Sequence, residues 1–361
     1  GEGVAGIGSL AAPCGVPLPA TGPAQPYRTI PAAEKAYFDY VNDHGGINGR
    51  KIDFKIVDDG YDPSKTVPLT QQLVEQDKVF AIYGSLGTAP NLATWNYLNQ
   101  RKVPQVLLAT GDSYWGFSAK KYPWTIGFQP DYPGETKVYG RYINANLKGA
   151  KIGVLYQNDS YGKNYYAGLR VGLGANKSSI VSAQPYDLSA GNVTQQVLAL
   201  KASGADTFVI LATPTPTIQP LVTATKVGWT PANTFINNVS AVGTFIKLAA
   251  ANGAKVDGAI STSAYVDASV PSESNWAGVK FAKGIVSQYA PTLDVNNSLT
   301  IYRLANAWTM AYALKNAGKT PTRAGLMRAL KNLNQKIANN PFLSPGVTPQ
   351  TGPKDHFPPG R

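Results

Sequence analysis

An α/β fold with two lobes, each built on a parallel sheet, follows from three features of the chain. Apolar runs of strand length alternate with amphipathic stretches of helix length. Most of these runs end in a turn rich in Gly, Ser, Thr, Asn or Asp. The pattern pauses near Trp124–Gln129 and starts again at Asp131. A length of 361 residues makes two domains the expectation rather than one.

Residues 1–13 are rich in Gly and Ala, carry no pattern, and read as a leader or linker. Gly6-Ile7-Gly8-Ser9-Leu10-Ala11 matches a dinucleotide fingerprint by letter, but no strand precedes it. Val16 to Pro23 reads as a short strand running into a turn. A helix over 30–42 follows, with Ala33, Ala36, Tyr37, Tyr40 and Val41 on one face, and Asp43-His44-Gly45-Gly46 stops it. Ile52, Phe54 and Ile56 alternate as a strand. Asp58, Asp59 and Asp62 fit no calcium loop and read as capping groups for the helix that Pro63 begins. Helix 63–77, strand 79–83, helix 89–101 and strand 103–108 complete this half.

The stretch from Ala81 to Asn91 organises it. An apolar run feeds the turn Gly84-Ser85-Leu86-Gly87, with Thr88 as the expected N-cap and Pro90 in the first helical turn. The two glycines clear side chains from the approach, and backbone N–H groups at a helix N-terminus suit a small anion, carboxylate or phosphate. The next strand ends similarly in Ala109-Thr110-Gly111-Asp112-Ser113-Tyr114-Trp115. In a doubly wound sheet the two turns are neighbours at the carboxyl ends of the strands, so Ser85, Thr88, Thr110 and Ser113 are expected to converge on a carboxylate.

The second half repeats the scheme: helix 133–147, strand 151–156, helix 163–173, strand 179–184, helix 191–203, strand 206–212, helix 218–227, strand 233–237, helix 241–252 and strand 258–263. Its polar turns are Gln157 to Gly162, Thr213 to Thr217, Asn237 to Ser240, and Ala264 to Asp267. Helices over 273–289, 298–317 and 321–332 precede a tail rich in Pro and Gly. Tyr27, Trp115, Tyr161 and Tyr265 flank the turns and suit a pocket for a ring or aliphatic body, although some are expected in the cores.

Composition narrows the function. The chain is 43% hydrophobic and 15% charged, with no apolar run near the roughly 20 residues of a membrane helix. A net charge of +12 is spread without any run of three Lys or Arg, which argues against a nucleic-acid groove. Cys14 is the one cysteine, so no disulfide or zinc pair forms within the chain, and it reads as a structural thiol. Only His44 and His356 could serve a nucleophile, and neither belongs to a strand-end turn. Gly84-Ser85-Leu86-Gly87 lacks nucleophile-elbow spacing, and no Walker loop or metalloprotease motif is present. Asp112, Asp159 and Asp267 are the carboxylates nearest the turns.

Several motifs carry a family resemblance. They are Thr21-Gly22-Pro23-Ala24 with Tyr27, Tyr37 to Asn42 with Gly45-Gly46-Ile47-Asn48-Gly49-Arg50-Lys51-Ile52, Asp58-Asp59, Gly84 to Thr88, and Tyr156-Gln157-Asn158-Asp159 with Tyr161-Gly162. Over about residues 14–345 the chain resembles the type I periplasmic binding proteins of ABC importers, and among them the branched-chain amino acid receptors. The resemblance implies two Rossmann-like lobes joined by a three-crossing hinge that close on a small ligand in the cleft. It places ligand contacts on Tyr27, Ser85, Leu86, Gly87, Thr88, Thr110, Gly111, Asp112 and Ser113 in one lobe, and on Tyr161, Thr213, Thr215, Asn237 and Asn238 in the other. Trp115 and Tyr265 join them as flanking aromatics. The chain departs from the family in having no acidic residue in the Asn237-Asn238 turn to pair a ligand ammonium, leaving Asp112 or Asp267 to substitute. It also lacks the closing strand after Pro341–Gly346, so that Arg361 reads as a truncated or disordered end.

The expected division is a leader over 1–13, one lobe from 14–128 plus 270–330, and a second from 131–262 plus 331–361. The expected function is that of an extracytoplasmic, periplasmic or extracellular solute-binding protein, with a lipoprotein anchor on a longer precursor left open. It would carry a carboxylate-bearing organic acid or amino acid to ABC permease subunits. It would act as a monomer, without catalysis, cofactor, metal or nucleic acid. A ligand-sensing receptor domain of the same fold is the alternative, and an α/β hydrolase a more distant one.

Overall fold

The computed structural model describes residues 11–18, 21, 30–333, 339–347 and 351–352. The chain divides into two compact units, Gly1–Pro130 with Ala264–Arg361, and Asp131–Ser263. Unit 1 holds a parallel sheet of β1 (Ala11–Leu18), β2 (Lys51–Asp58), β3 (Ala81–Tyr83), β4 (Gln105–Leu108) and β5 (Thr125–Gly127), in the order β2-β1-β3-β4-β5. Its helices are α1 (Ile30–Asp43), α2 (Pro63–Glu75), α3 (Thr88–Gln100) and the single turn α4 (Tyr114–Phe117). Later in the chain, α10 (Ala277–Tyr289), α11 (Ser298–Asn316) and α12 (Arg323–Leu330) return to the same unit. Unit 2 holds α5 (Tyr132–Asn146), β6 (Ile152–Gln157), α6 (Ser160–Leu173), β7 (Ile180–Tyr186), α7 (Thr194–Ala202), β8 (Thr207–Leu211), α8 (Pro214–Lys226), β9 (Asn233–Ile236) and α9 (Gly243–Ala251). Its strands are also parallel, in the order β7-β6-β8-β9.

Local chemistry accounts for the boundaries. Asp62 accepts from the Ser64 N–H and caps α2, while Asp59 accepts from Tyr61 N–H and the Thr66 hydroxyl, as expected of the acidic cluster. Asn48 and Gly49 both have positive φ (52° and 77°) between Ile47 and Arg50, which pair antiparallel. That is the backbone of a two-residue hairpin turn, for which Asn-Gly is suited. Asn48 then donates to the carbonyls of Lys315 and Gly318, so this motif ties the C-terminal end of α11 to the loop after α1. α11 is buried on nearly every side, through residues such as Leu299, Ile301, Leu304, Ala307, Met310 and Leu314. A helix with apolar residues all round belongs in a core.

The structure corrects several boundaries. β1 begins at Ala11 and pairs with both β2 and β3, so the last residues of the supposed leader lie in the sheet. β5 occupies the pause near residue 125. The expected strand over 258–263 reduces to one bridge, Ile260 with Phe235, because Gly258 turns at φ 78° before it and Ser261-Thr262-Ser263 offers no apolar face after it. The tail was expected in the second lobe, yet its described residues pack in unit 1. Phe342 is fully buried against Tyr37 and Phe281, and Asn340 donates to the Ala305 carbonyl and the Thr309 hydroxyl on α11. Among the described residues the chain passes between units at 130/131 and 263/264.

In unit 2, α5 and α6 approach through glycines. A Cβ added at Gly172 would stand 2.3 Å from the Lys137 carbonyl oxygen, and one at Gly168 2.4 Å from the Pro133 backbone. Gly172→Ala must therefore separate the helices, at a cost of about 1–3 kcal/mol. Urea denaturation should show a lower midpoint at an unchanged slope. An unchanged midpoint would mean that the helices do not meet this closely.

Candidate functional site

In unit 1 the two strand-end turns are sewn together by their backbones. Gly84 N–H donates to Val106, Gly87 N–H to Ala109, and Ala109 N–H to Ser85, at 3.0–3.2 Å. Gly84 and Gly87 have positive φ (66° and 98°), and a Cβ would fall 2.8 Å from the Glu34 carboxylate and 2.4 Å from the Tyr61 ring. Only glycine fits at these two positions. The amides of Gly84 and Gly87 are thus spent inside the turn rather than held open for an anion.

Thr88 is the first residue of α3, not its N-cap; Gly87 takes that position, with no side-chain bond. The Thr88 hydroxyl meets the Thr110 hydroxyl at 2.6 Å instead, so these two site residues do converge. Both are fully buried, and Ser85, Leu86, Gly87 and Gly111 are buried beside them. Asp112 is also buried and accepts from the Tyr114 N–H at the start of α4, while Ser113 is half-buried. Asn91 holds the turn from behind, donating to the carbonyls of Ser85 (3.0 Å) and Gly87 (2.8 Å). Gln105 in turn donates to Asn91. Asn91 is the fourth residue of α3, and an amide at that position, facing back toward a glycine turn, is the sequence signal for this role.

Trp115 is 1% exposed and packs edge-on against Trp95 beside Leu108, in the core of unit 1. Tyr265 is buried against Phe128 and Tyr302. Tyr27 lies outside the described residues.

In unit 2 the Ala212 carbonyl gathers three hydroxyl donors: Tyr161 (3.0 Å), Ser240 (2.6 Å) and Thr217 (3.2 Å). Asn237 accepts from Ala212 N–H and donates to the Tyr161 hydroxyl, so both ends of its amide are engaged. Thr213 donates to Gln157, whereas Thr215 is exposed in the first turn of α8.

An acidic group does stand at the Asn237-Asn238 turn, supplied by α5 rather than by the turn itself. Glu135 accepts from Asn238 N–H (2.7 Å), the Tyr139 hydroxyl (2.6 Å) and the Tyr165 hydroxyl (3.1 Å). Its position more than 100 residues away in sequence is why the turn looked bare of acid. Asp267, the expected substitute, bonds Ser269 in a local turn. Among the described residues no three His, Cys, Asp or Glu side chains group to hold a metal ion.

The chain is thus built as two parallel α/β units whose strands end in buried hydroxyl and amide networks. It belongs to the periplasmic binding protein family, whose model matches residues 13–359. It is 26% identical over 197 residues to the Leu/Ile/Val-binding protein homolog 3 of Brucella melitensis, covering 53% of this chain and 52% of that protein. The chain spans about half the length of the curated relatives it matches. Among solved structures, a branched-chain amino acid ABC transporter protein of Thermus thermophilus with bound valine superposes with a TM-score of 0.84, at 17% identity over 98% of this chain and 92% of that one. A solute-binding protein of Rhodopseudomonas palustris in complex with 3,4-dihydroxybenzoic acid gives 0.78, at 18% identity over 97% and 91%. These likenesses establish the type I fold.

Burial pushes the Glu135 carboxyl up to about 7 from 4.5, against the opposing pull of its donors Tyr139, Asn238 and Tyr165. The folded protein therefore holds this proton more tightly than the unfolded chain, and the contribution to stability falls as pH rises through that interval. In a series of urea midpoints from acid to neutral pH, Glu135→Gln should lose part of the wild-type decline. Identical slopes in the two proteins would contradict the assignment.

Proposed function

We propose that this protein is the solute-binding component of an ABC importer. It captures a small carboxylate-bearing organic acid or amino acid, with an aliphatic or aromatic body. It works outside the cytoplasm, as family membership implies, and delivers the ligand unchanged to permease subunits in the membrane. No described helix is long and apolar enough to cross a membrane.

The observation that supports this reading most is the placement of hydroxyls and amides at the carboxyl ends of both sheets, where ligands of open α/β sheets bind. The Thr88–Thr110 contact joins two such turns in one spot. We assign Ser85, Thr88, Thr110 and Ser113 to the ligand carboxylate, and Tyr161, Thr213 and Asn238 to the rest of the molecule. Neighbours crystallised with valine and with 3,4-dihydroxybenzoic acid make amino acids and aromatic acids the first candidates.

A thermal-shift panel of amino acids, aromatic acids and aliphatic acids should yield at least one stabilising compound, whose affinity calorimetry then measures. Thr88→Val should weaken that affinity about ten- to a hundredfold, because a hydrogen bond to a charged group is worth about 1.5–3 kcal/mol. A variant that is less stable but binds as tightly would make Thr88 a purely structural partner of Thr110.

A further inference from the structure

A second polar centre lies in unit 1 behind the Gly84 turn. Arg303 on α11 is fully buried, the one buried cation among the described residues. Its Nη1 donates to the Glu34 carboxylate at 2.6 Å and to the Gly84 carbonyl at 2.9 Å. The Tyr302 ring lies 5.0 Å from the guanidinium carbon. The opposite edge, Nε and Nη2, meets no hydrogen-bond partner among the described residues, and neither do Glu34 Oε2 and Asn306 Oδ1. A protein that buries a guanidinium gains little by leaving two of its donors unmade. The Nε–Nη2 edge is one that grips both oxygens of a carboxylate.

The hydroxyl cluster of Thr88 and Thr110 offers neutral donors to one acidic group, while Arg303 offers a formal charge and an open fork to another. We propose that Arg303 is a specificity-determining residue that holds a second acidic group, so that the ligand is a small diacid. This rests on the solute-binding reading above. Gly84 links the two centres, since its carbonyl takes Arg303 and its chain continues into the Ser85–Thr88 turn. Tyr302 lies beside the Arg303 guanidinium and Tyr265 packs edge-on against Tyr302, the two rings being only 5% and 8% exposed, so entry of a ligand requires one of them to turn aside.

Charge balance adds a consequence. Arg303 already faces Glu34, so a second carboxylate leaves one negative charge in excess unless Glu34 takes up a proton. Burial holds the Glu34 carboxyl up at about 7, with Arg303 pulling the other way, so the proton is available near neutrality. The other groups facing this centre stay neutral there: burial raises Tyr83 and Tyr265 well above their usual range, Tyr302 to about 12, and the Cys14 thiol on β1 to about 12. Diacid binding therefore weakens as pH rises past neutrality.

Calorimetry on the native protein with glutarate, adipate and terephthalate, each beside its monoamide, tests this. We expect at least one diacid to bind about tenfold or more tightly than its monoamide. It should lose up to about tenfold per pH unit above neutrality. Arg303→Lys keeps the charge and loses the fork, and should erase the preference for diacid over monoamide. Glu34→Gln should bind the diacid more tightly at alkaline pH and flatten the pH profile, a gain that a purely structural ion pair would not produce, and it carries the test if the lysine variant fails to fold. Diacids no tighter than monoamides, or an Arg303→Lys protein with the preference intact, would overturn the proposal and leave the centre to internal water. If monoacids bind while diacids gain nothing, the solute-binding reading stands and this one falls. If no acid binds the native protein, both fall.

Discussion

A parallel strand that stops inside a protein leaves backbone groups its neighbours no longer pair, and each unmet buried group costs about 1–3 kcal/mol. That constraint shapes both units here. In unit 1, β3 stops at Tyr83 opposite Val106 while β4 runs on to Leu108, and the Asn91 amide adds a second donor to the Ser85 and Gly87 carbonyls, which already accept from the N–H groups of Ala109 and Asn91. In unit 2 the Ala212 carbonyl at the end of β8 collects Tyr161, Thr217 and Ser240, while Asn237 takes the Ala212 N–H. Short polar side chains at strand ends serve first to complete the backbone. What they offer a ligand is the capacity that remains.

This double duty separates the site residues by role. Asn237, with both amide ends engaged, sets the geometry of its turn, and Glu135 does so through the Asn238 N–H. Thr88 and Thr110 share one hydrogen bond between two hydroxyls, each of which can carry one donor and two acceptor directions, so capacity is left over. Arg303 is the extreme case: two bonds formed, and one edge of a charged group unmet among the described residues. The polar turns are rigid because the backbone demands it, which also reduces the ordering cost a ligand would otherwise meet.

Most of the fold was legible in the sequence because hydrophobic periodicity and turn chemistry are local. The βα alternation, the helix that Pro63 opens and the restart at Asp131 all rest on residues within one turn of each other. The errors fall where the deciding partner is distant. Phe342 draws the tail to α1 and α10 through aromatic contacts some 300 and 60 residues away, which no local pattern encodes. β5 is three residues long, too short to show alternation. Thr88 looked like a cap because threonine before a helix usually is one, but the tertiary contact with Thr110 outweighed that preference. Glu135 was hidden in the same way. Its helix was anticipated, and its approach to a turn 103 residues later was not.

The central claim is that these networks hold a small acid and do nothing to it. Native mass spectrometry of the intact protein, incubated with the tightest acid from the binding panel and then denatured to release it, tests that directly. The account predicts one molecule per chain, recovered with its mass unchanged after prolonged incubation. Recovery of a product of altered mass, or no retained acid at all, would contradict it.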